Sequence, residues 1–292
     1  MKDFKLSKIG LGTWKLGGDV VANPNNDDKR DIDSIRFAIE QGINHIDTSE
    51  SYSGGKSEEL VGEAIKIFDR DSLFIATKVR EWNLNYDALI EACYGSLKRL
   101  QVEYIDLYYI HKQNPEVSVE ETCKALNSLL EKGLIRNVGL SNVSVSKIEE
   151  FNKYLNKKVY AVQNQFNLVC RESQDKGVIE YCKENNIKFI SWRPILLSYP
   201  GCEDPMYNKG TYPILDKIAD KYNVSNVQVV AKWLLQQDNI YIIFKSNNKD
   251  HIKEIIRTNE FELSKEDMDI LDKDFPVKFS KGCAYNAFYE LS

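Results

Sequence analysis

The sequence has little in common with membrane-spanning, secreted or nucleic-acid-binding proteins. No uninterrupted apolar stretch in its 292 residues approaches the roughly 20 residues that cross a bilayer, so we expect no membrane partner. The first six residues lack the apolar core of a secretory signal, which predicts a cytoplasmic protein. The 39 Lys and Arg residues against 44 Asp and Glu give a formal net charge of −5 without a basic block, which disfavours binding to nucleic acid.

Cysteine and histidine are also poorly placed for a disulfide framework or a metal site. The chain has three histidines, and its six cysteines form no CxxC pair. In a chain of this length we predict reduced thiols and no bound metal. The cysteines are at positions 93, 123, 170, 182, 202 and 283. Hydrophobic residues make up 42% and charged residues 28%, which is ordinary for a soluble globular protein with a large core.

What the sequence does contain is an alternation of short apolar runs, rich in strand-forming residues, with amphipathic helix patterns. Because the strands are mostly apolar, they indicate a parallel sheet that is covered on both faces. The eight predicted strands are Lys8–Thr13, Ile43–Asp47, Leu73–Thr77, Ile105–Ile110, Ile135–Leu140, Val159–Asn164, Lys188–Trp192 and Ile240–Phe244.

Start and stop signals delimit several of the predicted helices. Ser118–Glu121 is typical of a capping box, in which side chains satisfy free amides of the first turn. The helix that follows should bury Cys123, Leu126 and Leu130 and stop at Gly133, where a left-handed cap is favourable. Further starts are predicted at 225–228 and 264–267, an apolar helix face at 84–100, and helices near 212–221 and 227–237.

The number of strands decides between two parallel-sheet folds. A doubly wound sheet usually has five or six strands, and Gly10-Leu-Gly-Thr-Trp14 lacks the third glycine of the dinucleotide fingerprint. Eight units therefore predict a (β/α)₈ TIM barrel. Such a barrel uses roughly 250 residues, so we expect one domain over 1–292 with rim loops and a C-terminal tail at 277–292.

Four polar side chains follow consecutive predicted strands. Asp47 and Tyr52 follow the second strand, Lys78 the third, and His111 the fourth. Functional residues of a TIM barrel lie at the carboxyl ends of its strands, so these four are expected to converge on one pocket.

The chemistry of the four residues would be coherent. Tyr52 would donate a proton to an oxygen, with its pKa lowered by the Lys78 ammonium. Asp47 would keep that ammonium charged, and His111 would orient a carbonyl or assist proton transfer. Taken singly, each residue has an ordinary structural explanation, such as an ion pair for the lysine. His45, which lies within its strand, is expected to be a structural hydrogen-bonding residue.

The order and content of seven motifs resemble the aldo-keto reductase superfamily, from about Lys8 to Leu271. The motifs are Ile9-Gly-Leu-Gly-Thr-Trp14, Asn44-His-Ile-Asp-Thr48 with Tyr52, Gly55-Lys-Ser-Glu-Glu-Leu-Val-Gly62, Ala76-Thr-Lys78, Ser96-Leu-Lys-Arg-Leu100, Tyr104-Ile-Asp-Leu107 through His111, and Gly139-Leu-Ser-Asn142. The resemblance implies a (β/α)₈ barrel with Asp47, Tyr52, Lys78 and His111 as the catalytic tetrad.

The resemblance also implies a nicotinamide cofactor, NADPH or less often NADH, bound without a Rossmann domain. Ser141, Asn142 and Gln163 would hold the carboxamide, and Trp192 would stack on the nicotinamide ring. Further cofactor contacts are expected from Gly12, Thr13, Trp14, Asp47, Arg193 and Pro194.

The segment after the last strand resembles the family's 2′-phosphate site at Lys245 and Ser246. Glu254 matches the family pattern, whereas His251 stands in the place of an arginine and Ile255 in the place of an asparagine. We expect NADPH because Lys245 and Ser246 match the 2′-phosphate site. NADH is possible as well, because a histidine clamps the 2′-phosphate less strongly than an arginine would. Arg193 departs from the pattern too, and three roles are open to it: contact with the cofactor pyrophosphate, narrowing of the pocket, or a rim ion pair.

The predicted function is reduction of a small-molecule aldehyde or ketone by hydride transfer from nicotinamide C4. The alternatives are alcohol oxidation by the same site and a regulatory cofactor-binding protein that acts through a partner. Substrate contacts are expected from Trp14, Tyr52, Trp82 and His111, with further pocket walls at Lys15 and around Pro115 and Tyr199. The tail aromatic residues Phe279, Tyr285, Phe288 and Tyr289 either cover the pocket mouth or pack as a structural flap.

Overall fold

The computed structural model describes residues 6–197 and 212–277. The predictions for Tyr199, Cys202, Cys283 and the aromatic residues of the tail lie outside the described residues. Of the cysteines that are described, Cys93, Cys123 and Cys182 are free thiols, as predicted.

Eight parallel strands form a closed barrel in which each strand pairs with the next and β1 pairs with β8. The predicted barrel is therefore confirmed. The strands are β1 (Ile9–Gly12), β2 (His45–Asp47), β3 (Phe74–Val79), β4 (Leu107–Ile110), β5 (Val138–Ser141), β6 (Ala161–Gln165), β7 (Lys188–Trp192) and β8 (Ile240–Phe244).

Eleven α-helices of the described segments surround the barrel. They are α1 (Asp28–Glu40), α2 (Lys56–Ile65), α3 (Tyr86–Leu100), α4 (Val119–Glu131), α5 (Val145–Tyr154), α6 (Glu172–Asp175), α7 (Val178–Glu184), α8 (Pro213–Tyr222), α9 (Asn226–Leu235), α10 (Lys249–Ile256) and α11 (Lys265–Asp274). Short 3₁₀ turns lie at Tyr52–Gly55, Arg70–Ser72, Glu81–Asn83 and Arg257–Glu260.

The helix caps confirm one predicted capping box and correct another. Ser225 and Gln228 at the start of α9 satisfy each other's backbone amides as predicted. At α4, Ser118 accepts from the Glu121 amide, but the Glu121 carboxylate accepts from the backbone amide of Tyr86 at 3.1 Å. A contact with the neighbouring helix thus replaces the second half of that box.

The barrel has two apolar regions, one inside the strands and one between strands and helices. The inner cluster includes Phe74, Leu107 and Ile190, and a larger cluster packs the outer strand faces against the helices. Because successive side chains of a strand alternate between faces, Asp47 lies on the same inner face as His45. The upper end of this interior holds the polar side chains predicted from the strand ends.

The structure contradicts the expected role of His45 as a hydrogen-bonding residue. Its ring is fully buried in the barrel, packs edge-on against Phe74 at 5.8 Å between centroids, and has no partner for either ring nitrogen among the described residues. Burial lowers the pKa of His45 to about 4, with Asp47 raising it and Lys78 lowering it further. His45 is therefore a neutral packing residue.

Candidate active site

The four predicted acid–base residues lie together at the carboxyl ends of β2, β3 and β4. Asp47 ends β2, Lys78 lies near the end of β3, and His111 follows β4 directly. Tyr52 begins the 3₁₀ turn that leads from β2 into α2. The parallel pairing of neighbouring strands, such as Asp47 opposite Ala76 and Lys78 opposite Tyr109, brings these ends to one rim.

The Lys78 amine is the centre of this group. It lies 2.5 Å from Oδ1 of Asp47 and donates to the Tyr52 hydroxyl at 3.2 Å and to the Thr48 carbonyl at 2.8 Å. Asp47 and Lys78 are 1% and 0% exposed, so the ion pair is shielded from water. Burial acts to lower the pKa of Lys78, but Asp47 and Tyr52 outweigh it and hold that pKa above its ordinary value. The lysine is therefore a fixed cation beside the phenol.

The pKa of Tyr52 corrects the sequence-based expectation. Burial raises this pKa above its ordinary value, and Asp47 adds to the effect, whereas Lys78 acts to lower it. Burial outweighs the lysine because it removes water from the phenolate. Tyr52 is consequently a protonated phenol at neutral pH, which is the form of a proton donor.

His111 is held beside Tyr52 as a neutral ring. The two rings are arranged edge to face, with 5.8 Å between centroids. Nδ1 of His111 lies 3.2 Å from the Ser49 hydroxyl and 3.3 Å from the Ser51 hydroxyl. Burial lowers the pKa of His111 to about 3, and the charges of Lys78 and Arg80 lower it further.

Ser49 and Ser51 are functional candidates that the sequence analysis missed. A hydroxyl that donates to Nδ1 of His111 leaves the ring proton on Nε2. Both serines lie between Asp47 and Tyr52, and two hydroxyl groups two positions apart were the available signal. Nothing in the sequence indicated that they would meet a histidine from another strand end.

A second polar group lies across the rim, at the ends of β5, β6 and β7. Asn142 has a left-handed backbone with φ of 57° and donates from Nδ2 to the His111 carbonyl and to Oγ of Ser141, both at 3.1 Å. Its Oδ1 accepts from Nε1 of Trp192 at 3.1 Å. Ser141 donates to the Gln163 carbonyl at 2.8 Å. The network fixes the half-buried Trp192 ring at the mouth of the barrel.

This second group fits a nicotinamide carboxamide. Both N–H groups of the Asn142 amide are in use, but Oδ1 has a second lone pair that can accept from a carboxamide amine. The Trp192 ring, held by its own N–H, offers a face for stacking. Gln163 also contacts the tetrad, because its Nε2 donates to Oδ2 of Asp47 at 2.8 Å.

The segment after β8 has the donors that a phosphate needs. Lys245 is exposed, and Ser246 is buried. The Ser246 hydroxyl accepts from the Asn248 amide at 3.0 Å and donates to the Asn248 carbonyl at 3.2 Å. Lys245 as a whole is exposed, but partial burial of its amine lowers its pKa, while Asp31 raises that pKa and Arg30 and Lys15 lower it further. His251 is exposed on α10, and the half-buried Glu254 accepts at its carbonyl from Gln228.

The remaining predicted contacts line the rim at different depths. Gly12, Thr13 and Pro194 are buried, and Thr13 binds the Asp47 carbonyl through both its amide and its hydroxyl. Trp14 is 44% exposed, with the Arg193 guanidinium 5.8 Å from its ring centroid and 5.3 Å from that of Trp192.

Two predicted pocket walls have little contact with the rest of the rim. Trp82 is 66% exposed in the turn Glu81–Asn83, and Pro115 is exposed.

Lys15 pairs with Asp19 at 2.9 Å and lies over the Trp14 ring at 4.8 Å. The structure therefore brings Lys15 and Trp14 together beside Arg193.

Two kinds of feature are absent from the described residues. There, no group of three or more His, Cys, Asp and Glu side chains could hold a metal ion. No helix in 6–197 or 212–277 has the length and apolar character needed to cross a membrane.

Comparison with known proteins identifies one family. The model of the aldo/keto reductase family matches residues 8–274. The glyoxal reductase of Bacillus subtilis is 35% identical over 266 residues, which cover 90% of this chain and 87% of that protein. A methylglyoxal reductase of Escherichia coli is 28% identical, covering 96% of this chain and 94% of its own length.

Solved structures agree with this assignment. The thermostable aldo-keto reductase Tm1743, crystallised with the inhibitor epalrestat, has a TM-score of 0.87 and 33% identity, covering 94% of this chain and 97% of that one. An aldo-keto reductase from Klebsiella pneumoniae in complex with NADPH has a TM-score of 0.84 and 25% identity, covering 95% and 94% of the two chains.

Proposed function

The chain belongs to the aldo/keto reductase family and is a nicotinamide-dependent carbonyl reductase, and we propose that Tyr52 is its proton donor and NADPH its preferred cofactor. The observation that carries the first part is the buried bridge of the Lys78 amine between Asp47 at 2.5 Å and the Tyr52 hydroxyl at 3.2 Å. An ammonium in this place stabilises the phenolate that remains once the phenol has given up its proton.

Each member of the tetrad has a distinct task in this proposal. Tyr52 starts as the protonated phenol and transfers its proton to the substrate oxygen as that oxygen gains charge. Lys78 is a permanent cation that compensates the phenolate, and Asp47 prevents the cost of a buried unpaired ammonium. His111, neutral because of its lowered pKa, donates from Nε2 to the same oxygen and orients it.

The cofactor residues are assigned on the chemistry of their free donors and acceptors. The nicotinamide ring, when bound, supplies the hydride. Asn142 accepts from the carboxamide, Ser141 and Gln163 hold the surrounding network, and Trp192 restricts which ring face meets the substrate. Lys245 and Ser246 bind the 2′-phosphate, which supports NADPH over NADH.

The proposed substrates are small aldehydes and ketones, including two-carbonyl compounds. This class follows from the two reductases of glyoxal and methylglyoxal with which the chain aligns over nine tenths of its length or more. The regulatory alternative has no comparable support, because the tetrad is complete and the relatives described above are reductases. The cytoplasmic location, the single-domain organisation and the absence of a nucleic-acid partner stay predictions.

The test is NADPH oxidation at 340 nm with methylglyoxal, glyoxal and a simple ketone. The wild-type protein should turn over at least one of them, and Tyr52→Phe should lower kcat by roughly 10²–10⁴-fold. Nucleotide binding is measured by quenching of tryptophan fluorescence. It should be unchanged in this variant, because no hydrogen bond of the described residues joins Tyr52 to Ser141, Asn142 or Gln163, which are assigned to the nicotinamide carboxamide. Tyr104→Phe is the matched control, since Tyr104 lies outside the site and bonds Asp71. Full activity of Tyr52→Phe would contradict the assignment.

A further inference from the structure

Two cations near the end of β8 stand out because they lack an acidic partner. In the ranges 6–197 and 212–277, neither Arg30 nor Lys245 lies within ion-pairing distance of a carboxylate, whereas the nearby Lys15 pairs with Asp19. The chain as a whole is acidic, with a net charge of −5. An unpaired pair of cations in such a chain provides a local positive potential that attracts an anion.

Arg30 belongs to a different part of the chain from Lys245 but is attached to the same loop. It lies in the first turn of α1, and its Nε donates to the Asn247 carbonyl at 3.3 Å. Asn247 is two residues after Lys245 and next to Ser246. The charge of Arg30 lowers the pKa of Lys245, so the two cations are close enough to repel each other.

A buried carboxylate holds these two segments together. Asp31, the neighbour of Arg30, is 2% exposed and accepts at Oδ1 from the Asn247 side chain at 2.9 Å. Its Oδ2 accepts from the Gly17 amide at 3.0 Å and from the Asn26 side chain at 2.9 Å. With its oxygens engaged in this way, Asp31 fixes the start of α1 against the loop after β8.

The fixed geometry leaves part of the Arg30 guanidinium available. Only Nε makes a hydrogen bond within the described residues, so the two terminal nitrogens retain their donors. A guanidinium offers paired donors that match two oxygens of a phosphate. His251, on the following helix α10, has an imidazole that cannot present such a fork.

We propose that Arg30 is a specificity residue that binds the 2′-phosphate of NADP(H) together with Lys245 and Ser246. The inference rests on the proposed preference for NADPH and adds a residue from α1 to the phosphate site. Asp31 is a positioning residue in this arrangement, because its carboxylate ties α1 to Asn247. In this proposal the guanidinium that position 251 lacks is supplied from α1.

The experiment compares two nucleotide fragments that differ only in the 2′-phosphate, namely 2′,5′-ADP and 5′-AMP. Their dissociation constants are measured by isothermal titration calorimetry with wild type, Arg30→Gln and the matched control Lys29→Gln. Lys29 precedes Arg30 in α1, is exposed and carries the same charge. Thermal unfolding of each variant checks that the fold is intact.

Arg30→Gln should weaken the binding of 2′,5′-ADP roughly tenfold and that of 5′-AMP less than about twofold, since one charge-assisted contact to the 2′-phosphate is lost. Lys29→Gln should change both affinities by less than about twofold. Equal losses for the two fragments, or equal effects of the two variants, would overturn the proposal. Carbonyl reduction by the wild type is measured separately, so an active enzyme with no preference for 2′,5′-ADP refutes the Arg30 site and leaves the tetrad assignment standing.

Discussion

Gln163 on β6 and Asp47 on β2 meet across the interior of the barrel, where the amide Nε2 donates to the carboxylate Oδ2 at 2.8 Å. The two residues are 116 positions apart in the chain. The other carboxylate oxygen of Asp47 receives the Lys78 amine, so both oxygens are satisfied although the side chain is buried. Together with the bond from Nδ2 of Asn142 to the His111 carbonyl, this bond joins the residues assigned to the nicotinamide carboxamide to the tetrad.

Gln163→Met should destabilise the protein even though methionine has nearly the same shape. The substitution leaves Oδ2 of Asp47 buried without its donor, and a buried unsatisfied acceptor costs about 1–3 kcal/mol. Urea unfolding at pH 7 measures this change in the free energy of unfolding. Gln174→Met, at an exposed position in α6, is the control and should have little effect. Equal stability of the two variants would contradict a structural role for this bond.

Lys78→Met should reduce stability more strongly, because it leaves the Asp47 carboxylate buried without a counter-charge. Removing one partner of a buried ion pair typically costs about 3–5 kcal/mol. The double variant Asp47→Asn with Lys78→Met removes both charges and should recover most of that loss. Activity should not recover, since no cation remains to stabilise the Tyr52 phenolate. Urea unfolding and NADPH oxidation on the same samples separate these two effects, and a double variant as unstable as Lys78→Met would contradict the argument.

Much of the barrel could be predicted because its strands are apolar runs between polar loops. The predicted limits of β7 and β8 match the structure residue for residue, while β4 begins at Leu107 rather than Ile105. Ile105 makes only an isolated bridge to Ile135, because a single pairing at the bottom of the barrel does not extend the ladder. The end of a strand depends on whether the neighbouring strand continues the hydrogen-bonded pairing. A local sequence pattern does not contain that information.

The parts of the site that could not be predicted depend on contacts between distant segments. The strand ends predicted that Asp47, Tyr52, Lys78 and His111 would meet, and they do. The raised pKa of Tyr52 could not be predicted, because burial competes with the lysine charge and burial is known only from the packed structure. The Asp31–Asn247 contact likewise links residues 216 positions apart, and no sequence motif predicts it.

Gly10→Ala should strain the lower part of the barrel because of His45. A Cβ at position 10 would lie 2.6 Å from Nδ1 and 2.8 Å from Cγ of the His45 ring. Overpacking of this kind costs about 1–3 kcal/mol. Gly12→Ala on the same strand is the matched control, because its Cβ would lie at an ordinary 3.5 Å from the Phe244 carbonyl. In a His45→Ala background, Gly10→Ala should lower the free energy of unfolding by less. A double-mutant cycle measured by urea unfolding detects this coupling. Additive effects would place the strain elsewhere.

Replacement of His45 should also change how stability depends on pH. The folded protein holds the pKa of His45 at about 4, below its ordinary value of 6.5, because burial disfavours the charged ring. In the window between these two values the unfolded chain binds a proton that the folded chain does not, so stability is complete above about pH 6.5 and falls as the pH is lowered. Between pH 7 and pH 5 this single group should remove about 2 kcal/mol from the free energy of unfolding.

His45→Leu removes the titrating ring and should therefore flatten this dependence, even if it changes the absolute stability at pH 7. The comparison is the difference in the free energy of unfolding between pH 7 and pH 5, measured in urea for wild type and variant in the same buffers. Other titrating groups, such as the buried Glu58 with its raised pKa, contribute equally to the two proteins. Their contributions therefore cancel when the pH difference of the variant is subtracted from that of the wild type. His251→Leu, on the exposed face of α10, should retain the wild-type dependence. An unchanged pH dependence in His45→Leu would mean that the His45 ring is charged inside the barrel, which its lack of described hydrogen-bond partners argues against.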